Sequence, residues 1–156
     1  MRYRKAVFVL PYAKTSRGFQ YLLLKRKLHW KGWEFAKGKI EPGEEKIKTA
    51  RRELREETGH KARRIRQMGF SGKYNYKKML KDRPGIKGQT FLLFAAEIKR
   101  TGKVSLDPKE HDGFQWADYK TSLKLLKWPN QKKSLRIVDS WLKKQTPKRG
   151  RLGENL

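Results

Sequence analysis

Three glutamates, Glu53, Glu56 and Glu57, recur at i, i+3 and i+4 within the segment GKIEPGEEKIKTARRELREETGH, which runs from Gly38 to His60. On a helix this spacing sets all three carboxylates on one face, about a turn apart. Like charges so close repel by roughly a few tenths of a kcal/mol in water, and by more where the dielectric falls. Gathering them makes chemical sense around a divalent cation. Oxygen ligands suit Mg²⁺, which keeps waters and bridges to substrate phosphates, and Mn²⁺ is the alternative. Taken alone, the string RELREE also reads as a solvated helix face laced with ion pairs to Arg51, Arg52 and Arg55.

The acids need a helix to carry them, and one is expected from about Glu44 to Thr58. Ile47, Ala50 and Leu54 recur there at helical spacing. Glu44 and Glu45 would occupy its first turn, where the dipole favours them, and Gly59 would close it. Strands are expected at Lys5–Tyr12, Phe19–Leu24, Met68–Tyr76, Gln89–Ile98 and, briefly, Phe114–Trp116. His29–Gly43 reads as a loop around one short strand, and Lys61–Arg66 as a basic stretch. Helices near Tyr119–Lys127 and Asn130–Lys144 close the domain, the second with an apolar stripe of Leu135, Val138 and Leu142 beside Trp141. This order of elements implies a single α/β or α+β domain, residues 1–144, with helices packed on a sheet. Residues 145–156 read as a basic, disordered tail.

The chain has 156 residues, a formal net charge of +26 and no cysteine. Such a charge predicts a polyanionic partner, nucleic acid or a polyphosphate, or else an unusually basic solvated face. The absence of cysteine excludes disulfides and thiolate metal sites and fits a cytoplasmic location. The N-terminal apolar run AVFVL is of strand length, too short for a signal-peptide core or a membrane span.

The whole segment resembles the Nudix box: a Gly, five residues, a Glu, seven residues, then Arg-Glu-apolar-any-Glu-Glu-any-Gly-apolar. Gly38, Glu44, Arg52, Glu53, Leu54, Glu56, Glu57 and Gly59 all fall on its positions. His60, where the pattern has an aliphatic residue, is the one departure. The resemblance implies a Nudix fold: a mixed sheet between helices with a loop–helix–loop catalytic motif. It implies a metal-dependent phosphoanhydride hydrolase whose Glu53, Glu56 and Glu57 hold divalent ions, joined by the carbonyl of Gly38. Arg52 would orient an acid by ion pairing, and Glu44 would fix the loop onto the helix. Glu57 or Glu56 would deprotonate the attacking water. Lys37, Lys39, Arg26 and Arg4 are candidates to hold phosphate oxygens.

Similarity extends beyond the box. Trp33–Gly38 resembles the W-x-F-P-K-G stretch of diadenosine tetraphosphate hydrolases, with Ala36 in place of Pro. The stretch from Lys109 to Trp116 is similar both to those enzymes and to RNA 5′-pyrophosphohydrolases, and Gly88–Leu93 is similar to the latter. By this match Glu110 is a further metal ligand or base, and Tyr74 or Tyr76 stacks on a base. His111, a lone histidine in a polar loop, is assigned no chemistry. Asymmetric hydrolysis of a dinucleoside tetraphosphate is the leading expectation, with a monomeric protein. Removal of pyrophosphate from triphosphorylated RNA is the second. A basic RNA- or ribosome-bound module that keeps the fold as a scaffold is the third; the intact box argues against it.

Overall fold

The computed structural model describes residues 2–145. Its elements are β1 (Arg2–Thr15), β2 (Gly18–Arg26), β3 (Gly32–Glu34), β4 (Ala36–Lys39), α1 (Lys46–Thr58), β5 (Arg64–Asn75), β6 (Ile86–Glu97), β7 (His111–Ala117), α2 (Tyr119–Leu125) and α3 (Pro129–Gln145). The strands form one mixed sheet ordered β3-β2-β1-β6-β5, with β4 added to β1 and β7 to β2. β1 and β6 pair in parallel, with Val7 opposite Leu92 and Val9 opposite Phe94. The other pairings are antiparallel.

Strand alternation divides the core in two. Val7, Val9, Leu22 and Leu24 point to the face covered by Ala50 and Leu54 of α1. Phe8, Leu10, Tyr12, Tyr21 and Leu23 point to the opposite face, covered by Leu135, Val138 and Leu142 of α3. β1 is apolar over a continuous run, as a central strand buried on both faces must be. Each fully buried Leu or Phe contributes about 1.5–3 kcal/mol relative to exposure. On the α3 side the Tyr21 hydroxyl donates to buried Asp139 at 2.6 Å, and Lys143 stands 2.8 Å from the other carboxylate oxygen.

The expected fold class holds: a mixed sheet lies between helices. Several boundaries differ. The helix of the box starts at Lys46, not Glu44, so neither Glu44 nor Glu45 lies in its first turn. Pro42-Gly43 turns the chain there, and the Glu44 carboxylate is taken by Arg52 instead. Ile47 is exposed rather than core-facing. Gly59 closes the helix as expected, with φ +77° and its N–H donating to Arg55 O. The 29–43 stretch holds two short strands, because β4 pairs with β1 while β3 pairs with β2. β5 begins at Arg64, its basic residues lying along a sheet edge, and β7 begins at His111. Of the expected tail, Gln145 ends α3 and the rest falls outside the described residues. Among the described residues no helix is long and apolar enough to cross a membrane.

Candidate active site

The inward face of α1 meets β4. The Lys37 N–H donates to Glu57 Oε1 at 3.0 Å, while the buried Glu57 Oε2 has no hydrogen-bond partner. Burial first, then the nearby charges of Glu34 and Glu110, raises the Glu57 carboxyl well above the usual range. Glu53 is also buried, and burial pushes its carboxyl up to about 7 although Arg52 opposes the shift. A Cβ at Gly38 would land on the Glu53 carboxylate, so only glycine lets this carboxylate lie against β4.

Arg52 works as a clamp. Its Nε and Nη2 donate to the two oxygens of Glu44 at 2.8 and 2.9 Å, and Nη2 also reaches Lys39 O at 3.0 Å. Its Nη1 stands 2.8 Å from Glu53 Oε1 and 3.3 Å from Glu56 Oε2. Glu44, bonded by Arg52 and by Thr49, is held at about 2. The loop before α1 is thereby tied to the carboxylate face behind it. Glu56 lies at the outer rim, more than half exposed.

A second buried acid stands beside the first group. Glu34, at the end of β3, accepts from His111 Nε2 at 2.7 Å and from Arg26 Nη1 at 3.2 Å. Lys37 Nζ stands 3.1 Å from its other oxygen, in ionic contact but off the hydrogen-bonding angle. Burial would raise this carboxyl, yet Lys37, the His111 bond and Arg26 outweigh it and hold it at about 2. Arg26 further donates to Leu28 O and reaches Glu110 Oε1 at 3.5 Å. Glu57, Glu110 and His111 each offer a ligand atom within 4.8 Å of the others; Glu53 and Glu56 are outside this group. His111 Nδ1 is buried without a partner.

Next to these acids lies a cavity of about 550 Å³. Arg26, Glu34 and Lys37 form the wall it shares with the acidic cluster. Trp30 and Trp128, whose ring centroids are 5.7 Å apart, and the Tyr74–Tyr76 pair form its aromatic walls. Lys77, Lys78 and Arg83 line its rim. Gln89 donates to the Tyr74 hydroxyl at 3.0 Å, and Arg83 donates to the Tyr76 hydroxyl at 2.7 Å. His29, a non-glycine residue at φ +71°, is pinned at 3.0 Å to Asp82 of the 76–85 loop.

The structure thus gathers Gly38, Glu53, Glu57 and Glu110, with Glu56 at the edge and Arg52 and Glu44 as their clamp. Lys37, Arg26, Tyr74 and Tyr76 reach the cavity. Arg26 is buried and its guanidinium is occupied by Glu34, Glu110 and the Leu28 carbonyl. Lys39 is exposed at the end of β4. Arg4 is half-buried beside Tyr76 and Arg83, and burial lowers its pKa. Sequence reasoning missed Glu34 and denied His111 any role. The signals were an acid set among aromatic residues in WEF and a histidine directly after Glu110.

Buried carboxyls raised in pKa, one with an oxygen that has no donor, with Glu110 and a ring nitrogen of His111 close by, form a donor set that fits a divalent cation. Comparison with known proteins agrees with this chemistry. A family model described as the NUDIX domain matches residues 2–137. The chain is similar to the asymmetrical bis(5′-nucleosyl)-tetraphosphatase of Mus musculus, 29% identical over 117 residues, which are 74% of this chain and 76% of that protein. Its fold matches that of a C. elegans Ap4A hydrolase in a binary complex, with a TM-score of 0.73, 21% identity and coverage of 90% and 98% of the two chains. It also matches the E. coli dihydroneopterin triphosphate pyrophosphohydrolase, with a TM-score of 0.70, 19% identity and coverage of 86% and 95%. This chain belongs to the Nudix family, as a pyrophosphohydrolase related to the asymmetrical Ap4A hydrolases.

Proposed function

We propose that the protein hydrolyses dinucleoside tetraphosphates asymmetrically, taking diadenosine tetraphosphate and water to ATP and AMP, with Mg²⁺ as its metal and Mn²⁺ as a substitute. The observation that carries this reading is the cavity: an aromatic-walled space of about 550 Å³, rimmed by cations, that shares a wall with the buried acids. A nucleobase stacked on such a wall gains roughly 1–3 kcal/mol.

Glu57, Glu53, Glu110 and the Gly38 carbonyl would hold the cation, with Glu56 completing the set from the rim. A divalent ion there would neutralise phosphate charge and acidify a bound water. Glu57 or Glu56 accepts the proton of the attacking water. Lys37, Lys39 and Arg4 contact phosphate oxygens, and Tyr74 or Tyr76 packs on the base. Arg26, with its donors already used, acts as a positioning residue for Glu34 and Glu110. His111 holds Glu34 through Nε2. The protein would act as a monomer.

A second reading, removal of pyrophosphate from triphosphorylated RNA, is favoured by the net charge of +26, far beyond what one tetraphosphate requires. The test is product analysis with Mg²⁺ on diadenosine tetraphosphate and on 5′-triphosphorylated RNA, run beside Glu57→Gln. Formation of ATP and AMP by the parent and not by the variant supports the first reading. Pyrophosphate released from RNA alone replaces it with the second. No cleavage of either, with Mg²⁺ or Mn²⁺, points to another Nudix substrate or to the scaffold reading.

A further inference from the structure

The positive charge is not spread evenly, and where it is uncompensated it meets aromatic rings. α1 mixes its basic residues with the glutamates of the box. β5 carries Arg64, Arg66 and Lys73 and no acid, and of these Arg64 meets Glu97 of β6 at 3.9 Å. The one acid of α3, Asp139, is buried and already bound by Tyr21 and Lys143. α3 runs along β5, its Asn130 side chain lying beside Gly72. Along this seam, cations sit on rings in sequence. Lys77 Nζ is 5.3 Å from the Trp128 ring, Lys133 Nζ is 5.0 Å from Phe70, and the Arg66 guanidinium is 5.4 Å from Trp141. Arg66, Lys77 and Lys133 are all exposed. The seam starts at the cavity, which Trp128 lines, and extends about 20 Å at ~1.5 Å per helical residue.

We infer that the β5–α3 seam is a track for single-stranded nucleic acid leading away from the cavity. A track of this kind needs a strip of positive charge that follows the phosphates and rings on which bases stack. Both recur here in alternation, with no free carboxylate on either element. A duplex hides its base faces and cannot use the rings. An anionic lipid surface would call for projecting apolar anchors. Among the described residues the exposed large hydrophobic side chains are Ile47, Met79 and Phe114, and none lies on the seam. The inference stands apart from which phosphoanhydride is cut, because binding along the seam requires no hydrolysis.

The experiment uses the full chain carrying Glu57→Gln, so that no turnover occurs, and follows fluorescence anisotropy of a labelled RNA strand of about 12 nucleotides. Salt is varied from about 50 to 200 mM. The log–log slope should fall by about 0.7 for each phosphate that a side chain no longer neutralises. Arg66→Ala with Lys133→Ala is expected to weaken binding about tenfold and to reduce the slope by about 1.4, the change for two phosphates. Lys48→Ala with Arg51→Ala, on the exposed face of α1, is the control and should change affinity less than about twofold. Arg66→Lys with Lys133→Arg keeps the charges and should retain binding, which separates removal of charge from damage to the fold. A duplex of the same length should bind the parent more weakly than the strand. Equal losses in the two alanine pairs, equal binding of duplex and strand, or no RNA binding at the lowest salt would each overturn the track. None of these outcomes bears on cleavage of diadenosine tetraphosphate, which the product analysis decides separately.

Discussion

Two buried acids stand side by side in this protein and meet opposite fates. Glu34 on β3 is enclosed by Arg26, Lys37 and His111, and its carboxyl is held at about 2. Glu57 on α1 is equally buried, receives one backbone N–H, and has one oxygen with no partner. Its carboxyl is raised by burial and by Glu34 and Glu110. Burial penalises both charges alike, so the difference lies in what the chain supplies as compensation. Where the protein brings its own cations, the carboxylate is structural and holds other groups in place. Where it withholds them, the missing charge is left for something bound from outside. Perturbed acids in a cleft are functional candidates on this ground, and the contrast with Glu34 is sharpest at Glu57, since Glu53 has Arg52 at 2.8 Å although its carboxyl is still raised.

The sharpest way to break the comparison is to remove each acid in turn. Glu57→Gln should lower kcat on the cleaved substrate by on the order of 10²–10⁴-fold. It should not lower the melting temperature of the metal-free protein, and above neutral pH should raise it, since Gln copies the neutral acid. Glu34→Gln should do the reverse in stability. It leaves Arg26 and Lys37 without their buried counter-charge, a loss of about 3–5 kcal/mol, read by chemical denaturation of the metal-free protein. If both variants were destabilised alike, the distinction between compensated and uncompensated acid would fall.

The same contrast fixes a pH dependence. A carboxyl whose pKa is higher in the folded state binds its proton more tightly there. The stability this gives is present at low pH and is lost as pH rises from the unfolded carboxylate value through about 7, the folded value for Glu53. Glu34, with its folded value lowered to about 2, stabilises the fold above the unfolded carboxylate value and loses that contribution as pH falls through about 2. The metal-free protein should therefore melt at a lower temperature at pH 8 than at pH 6. A divalent cation should reverse this, because its ligands must be deprotonated. At a concentration near 100 times Kd it adds about 2.7 kcal/mol, a rise of roughly 5–10 °C for a chain of this size. A smaller rise is expected at pH 5. A shift of the same size at both pH values would place the cation away from Glu53 and Glu57.

How much of this was legible in the sequence follows from the range of the interactions. The i, i+3, i+4 spacing put Glu53, Glu56 and Glu57 on one helix face because helical geometry is local, and Gly59 announced its own cap. The apolar, β-rich runs of β1 and β2 marked strands for the same local reason, and the pleat then divides their side chains between the two faces. Spacing could not say that Glu56 would be exposed while Glu53 and Glu57 were buried, since that depends on β4 packing against α1. Nor could it join Glu34 to His111, which lie 77 positions apart and meet only because β3 and β7 both pair with β2. The place of Glu44 in the first helical turn was misread for a local reason. Its place before a helix suggested a dipole contact, but the Arg52 side chain offered a bidentate partner that outweighs it. Trp30 and Trp128 meet across the cavity for the same long-range reason as Glu34 and His111, and nothing at either position signalled it.

The smallest effect worth measuring lies at the clamp between the two regions. Arg52 bonds Glu44 through two nitrogens, reaches the Lys39 carbonyl on β4, and touches Glu53 and Glu56 through the third nitrogen. Lysine keeps the charge but not this planar fork, so it can serve one of these partners well and not all of them. Arg52→Lys should therefore leave the melting temperature of the metal-free protein nearly unchanged while weakening cation binding by on the order of tenfold, the scale seen when groups orienting metal ligands are altered. Titration with Mn²⁺, followed by its electron paramagnetic resonance signal, reads this directly. Unchanged Mn²⁺ affinity would mean that the carboxylate face is held by α1 and Gly38 alone. Arg52 would then be a surface tie between the loop and the helix rather than part of what separates the uncompensated acids from the compensated one.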